Sequence, residues 1–142
     1  MSTERKHKSV AHERLAALAE FRYQLRRFLA FSEMRSEAVG ISPQQYQLLQ
    51  VVAAAPEGQE VSITYSAERM VVRHNSAVEL VDRAERAGLV QRGADERDHR
   101  RSLVEITPQG NELLNELLRQ HLTEVERAAP ELTRNLQRLM GK

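Results

Sequence analysis

The chain has no cysteine among its 142 residues. That excludes a disulfide framework and any thiol-based oxidant sensor. Net charge is almost absent, at +1, so whole-chain charge makes no case for a nucleic-acid partner. Long apolar runs are missing as well. None reaches the roughly 18 residues of a membrane span, and the polar N-terminus lacks the apolar core of a signal peptide. The expectation is a cytoplasmic protein with no membrane partner. Catalytic sets are also lacking. There is no motif-placed nucleophile and base, and no glycine loop of the kind that cradles phosphate. His7, His12 and His121 have no metal-ligand spacing. The chain therefore does not read as an enzyme, and no cofactor or metal is expected.

What is present suits one folded unit over 1–142. The composition is 41% hydrophobic and 29% charged, enough to bury a core. Basic residues are mostly arginine, whose planar fork suits phosphate or guanine. Seven basic side chains stand against three acidic ones in residues 1–30, while 73–101 mixes seven arginines with six acids.

Residues 1–9 are polar and expected to be loose. From 10 to 39 no proline or glycine intervenes. Leu15, Leu18, Phe21, Leu25, Phe28 and Leu29 recur at steps of three and four, which predicts a long amphipathic helix stopped by Gly40. Ser42-Pro43-Gln44-Gln45 is a helix start, with serine as cap, proline in the first turn and glutamine at the third position. Its helix turns Tyr46, Leu49, Val52 and Ala53 inward and ends before Pro56. A short helix follows over 62–70, and another runs to about Ala87. There Ala77, Leu80, Val81 and Ala84 form a seam of mostly small side chains suited to close helix packing. Thr107-Pro108 opens a further helix with a wide stripe of Leu113, Leu114, Leu117, Leu118, Leu122 and Val125. Pro130 is expected to break or kink it before a last helix carrying Leu132, Leu136, Leu139 and Met140.

The segment 87–108 carries the most information. Gly88 ends a helix in the left-handed conformation that glycine tolerates. Leu89-Val90 and Leu103-Val104-Glu105-Ile106 suit two paired strands. Between them lies a loop rich in arginine. A helix followed by an arginine-tipped ribbon reads as a winged helix-turn-helix: the helix fits a major groove, and the ribbon reaches phosphate or a minor groove. The fold expected is mainly α with a small β-hairpin wing. The winged helix-turn-helix lobe spans 41–107, with dimerisation helices at 10–39 and 108–142.

His74, Asn75 and Ser76 at the helix start are candidates for base edges or phosphates, and Val78 for a thymine methyl. Arg97 stands near the loop apex, where a guanidinium enters a narrow groove. Arg101 and Arg73 are candidate phosphate contacts. Arg100 suits either phosphate contact or a brace to Asp98. Arg83 and Arg86 read equally well as surface charges paired with Asp82 and Glu85. Arg73 cannot cap the helix through its side chain, whereas Ser76 with Glu79 offers a capping box one turn later. The leucine stripe is wider than one small winged helix covers, which points to a homodimer.

The stretches S-P-Q-Q-Y-Q-L-L, A-E-R-M and E-L-V-D-R-A-E-R-A-G-L-V-Q-R, with D-E-R-D-H-R-R-S-L-V-E-I-T-P-Q-G above all, resemble the MarR family of bacterial regulators (multiple-antibiotic-resistance regulators). The likeness covers roughly 10–140. It implies a homodimer with interlocking terminal helices, reading a near-palindromic stretch of double-stranded DNA, and acting as a repressor. The family often binds small aromatic or anionic effectors, for which Phe21, Tyr23, Phe28, Phe31 and Tyr46, beside Arg22 and Arg26, are one candidate lining; core packing explains the same aromatics. Glu79 departs from the family's basic or polar residue. An acid there repels phosphate unless it caps the helix or accepts from a cytosine amino group. The rival reading is a winged-helix module that binds a protein partner rather than DNA.

Overall fold

A computed structural model describes residues 2–94 and 102–142 of the protein. In chain order the elements are α1 (Ser2–Ala38), α2 (Pro43–Ala53), α3 (Ile63–Met70), α4 (His74–Arg86), β1 (Val90–Ala94), β2 (Ser102–Ile106) and α5 (Pro108–Leu139). The fold is mainly helical with a two-stranded antiparallel hairpin, as the sequence predicts. Two compact units emerge: Met1–Met34 with Arg119–Lys142, and Arg35–Leu118.

The unit Arg35–Leu118 holds the helix-turn-helix and the hairpin. Its helix starts follow local chemistry. Ser42 Oγ accepts from the Gln45 backbone N–H (3.1 Å) and Gln45 Oε1 accepts from the Ser42 N–H (2.9 Å), completing the predicted capping box on α2. Ser62 Oγ caps α3 by accepting from the Tyr65 N–H at 3.1 Å. These bonds satisfy amides that a helix end otherwise leaves bare. Helix α4 starts at His74 with no side-chain cap, so the alternative start at Ser76 is not adopted.

Tyr46, Leu48, Leu49, Val52, Val81, Leu89, Val90, Val104 and Leu117 build the core of this unit. Leu48 replaces the expected Ala53, which is exposed. The hairpin pairs Val90 with Ile106 and Arg92 with Val104. An isolated bridge joins Ser62 to Leu103, and the Val104 N–H donates to the Val61 carbonyl at 2.7 Å. The ribbon is thereby anchored to the entry of α3, which a lone two-stranded hairpin needs.

Thr107 links three elements. Its Oγ1 donates to the Gly88 carbonyl (2.6 Å) and accepts from the Gly110 N–H (3.0 Å), while its own N–H donates to the Leu89 carbonyl (3.0 Å). Gly88 adopts φ +77°, ending α4 as predicted. At Gly110 a Cβ would collide with the Leu89 carbonyl oxygen, so the start of α5 lies directly on the chain leaving α4.

The other unit pairs the first part of α1 with the end of α5. His121 is buried there, its Nε2 2.9 Å from Ser32 Oγ, with Phe28 and Phe31 presenting edge-on rings at 5.9 and 5.4 Å. Asn135 Nδ2 donates to Gln24 Oε1 at 2.9 Å. Much apolar surface remains open: Leu15 (64% exposed), Leu29 (56%), Leu122 (52%) and Met140 (65%) stand out.

Two expectations are corrected. Residues 2–9 are helical rather than loose, because nothing upstream of Val10 carries a stop signal. Pro130 does not end α5, which continues to Leu139. Pro130 sits on an exposed face, where water can take the carbonyl its missing N–H leaves unbonded.

Candidate nucleic-acid interface

The candidate interface is built on α4. Ala77, Leu80, Val81 and Ala84 bury one side of this helix. At 3.6 residues per turn the opposite stripe is Asn75, Glu79, Asp82 and Arg86. Of the residues expected to contact DNA, Arg73, His74, Asn75 and Ser76 are all exposed around the helix start, and Val78 is half-buried on its flank. The structure therefore gathers five of the eight predicted residues at one helix end. Arg97, Arg100 and Arg101, with Asp98, lie outside the described residues.

The turn before α4 is unusual. Val71 takes the left-handed conformation (φ 56°, ψ 47°) and is 90% exposed. A β-branched side chain is strained there. The Val72 N–H donates to the Ala67 carbonyl at 3.0 Å, which fixes how α3 hands over to α4. Beside this turn a groove of ≈ 320 Å³ runs between the start of α2 and α4, lined by Ser42, Gln44, Gln47, Met70, Ser76 and Arg83.

One residue that sequence reasoning missed ties helix to ribbon. Arg92 Nη2 donates to Asp82 Oδ1 at 2.6 Å, and Nη1 to Glu85 Oε1 at 3.1 Å. The Arg92 backbone N–H also donates to Glu85 Oε2 at 3.0 Å. The hydrogen bond it donates to Asp82 is the main reason the Arg92 guanidinium is held above its usual pKa. Arg92 shares a strand face with buried Val90, so its stem turns toward α4. That parity, with two acids three apart on the preceding helix, was the available signal.

Asp82 and Glu85 thus pair with Arg92 and not with Arg83 or Arg86. Arg86 Nε instead donates to the Asp82 carbonyl at 3.3 Å. The candidate aromatics are each placed within their own unit. Phe28 and Phe31 surround His121, Tyr23 is exposed under the Arg27 guanidinium (5.8 Å), and Tyr46 belongs to the core of the winged unit. Among the described residues no group of three or more metal-ligand side chains occurs, and no helix is long and apolar enough to cross a membrane.

Residues 39–101 match the sequence profile of the MarR family. No curated protein matches the chain by sequence. Among solved structures the chain is similar to AbsC, a MarR family transcriptional regulator from Streptomyces coelicolor. The two share 21% identity and a TM-score of 0.71, covering 83% of this chain and 79% of that one. It is similar to apo MarR from E. coli at 17% identity and TM-score 0.66, with 80% of each chain covered. It is also similar to CouR from Rhodococcus jostii, solved with p-coumaroyl-CoA, at 22% identity and TM-score 0.63, covering 78% and 82%. The exposed helix, its anchored ribbon and these likenesses converge: residues 39–101 match the MarR family, and the fold is similar to that of solved MarR-family structures.

Proposed function

We propose that this protein binds double-stranded DNA as a homodimer and regulates transcription, acting as a repressor at a near-palindromic operator in the bacterial cytoplasm. The observation that carries the reading is the exposed N-terminal half of α4, held beside the hairpin by Arg92. In that arrangement α4 enters a major groove, where His74, Asn75, Ser76 and Val78 meet base edges. Arg73, Arg97, Arg100 and Arg101 meet phosphate or the minor groove. The open apolar side chains of α1 and α5, Leu15, Leu29 and Leu122 among them, support a second copy of the chain as their cover. Two copies present two reading helices to two half-sites. CouR was solved with a coenzyme A thioester of an aromatic acid, which supports an aromatic or anionic effector here. Such an effector would act by favouring a dimer whose helices no longer match both half-sites.

The test is retardation of duplex DNA by the wild-type chain and by the Arg97→Ala/Arg100→Ala variant. Retardation lost by the variant, with its dimer intact, is the expected result. No duplex binding by wild type at low salt overturns the reading and favours a winged helix that docks on protein.

A further inference from the structure

Three acids lie on the exposed side of α4, and they are not treated alike. Asp82 and Glu85 are both bonded by Arg92, which cancels charge that would face phosphate. Glu79 is exposed on the outermost stripe between Asn75 and Arg86, and has no ion pair among the described residues. Arg83 follows one turn later and does not bridge to it. Resting on the DNA-binding reading, we infer that Glu79 is a specificity-determining residue that selects cytosine at one position of each half-site.

The reason is the chemistry of the groove floor. A carboxylate accepts hydrogen bonds and cannot donate. Guanine O6 and N7 and thymine O4 are acceptors, so they repel it. Only cytosine N4 and adenine N6 donate there. Adenine sets its acceptor N7 beside N6, against the second carboxylate oxygen. Cytosine's own edge sets only a C–H, not an acceptor, on the far side of its amino group. Phosphate contact is repulsive, so Glu79 contributes nothing to non-specific affinity. Its value lies in discrimination.

The experiment is selection from a random duplex pool with wild type, Glu79→Ala and Glu79→Gln. Circular dichroism confirms that each variant is folded. Wild type is expected to enrich cytosine at one symmetry-related position per half-site. Glu79→Ala loses that preference, with about tenfold less discrimination at the position, and binds unrelated duplex at least as tightly as wild type. Glu79→Gln shifts the position toward adenine, whose N6 and N7 a carboxamide bonds together. An enriched wild-type consensus that Glu79→Ala leaves unchanged at every position overturns this inference alone. A pool that wild type does not enrich at all overturns the DNA-binding reading and this inference with it.

Discussion

Arg92 on β1 and Asp82 on α4 meet at 2.6 Å, and the same guanidinium holds Glu85 at 3.1 Å. A strand and the exposed helix beside it therefore share one cation. The bridge sets where the hairpin leaves the helix and screens two carboxylates on the proposed reading face.

Removing that cation separates stability from binding. The three side chains are partly solvated, so Arg92→Ala should lower unfolding free energy by only about 1 kcal/mol. Duplex affinity should fall more steeply, because two bare acids then face phosphate and the hairpin root is loosened. Arg92→Lys restores the charge without the two-pronged geometry and should recover part of the affinity. Denaturant melts beside retardation titrations check both effects.

Gly110 should resist a change that helices ordinarily welcome. Alanine in a helix interior is favoured over glycine by about 1 kcal/mol. At Gly110 the added methyl meets the Leu89 carbonyl oxygen, and Ile106 Cγ1 stands at 3.0 Å. Neither backbone can retreat without disturbing the Thr107 bonds. Gly110→Ala should therefore destabilise by about 1–3 kcal/mol, as overpacking does, read from the midpoint of urea unfolding.

Val71 should show the reverse. It is strained at φ 56° and contributes little packing at 90% exposure. Val71→Gly should raise stability by up to about 1 kcal/mol after the entropic cost of glycine. Urea unfolding of the variant beside wild type checks it.

Alkaline pH should act through Tyr46. Burial pushes its phenol above the usual value. The unfolded chain releases that proton near pH 10, whereas the fold retains it. Between those points the folded state holds more protons, so its stability falls as pH rises. The contribution is complete below about pH 10 and disappears as the folded phenol ionises. Tyr46→Phe should flatten this dependence, seen in melts over an alkaline series.

Much of the fold was legible because local rules decided it. Ser42-Pro43, Gly88 and Thr107-Pro108 mark boundaries through caps and turns whose bonds the structure contains. Pro130 misled because its local cost says nothing of the exposed setting that tolerates it. Arg92 escaped notice because its partners depend on strand register and on where α4 ends, neither of which is a property of its neighbours in sequence. The start of α4 was ambiguous for a related reason. Arg73 offers no cap bond, and the helix is held by its buried seam. Which bases Asn75 or Glu79 meet is a property of the duplex as much as of the chain.

Footprinting of the protein on its selected duplex is the most direct test of a two-fold reader of DNA. Two protected windows on one face, centred about 10 base pairs or a whole multiple apart, with half-sites inverted, are the predicted result. A single window, half-sites in direct repeat, or no protection at low salt would contradict the account.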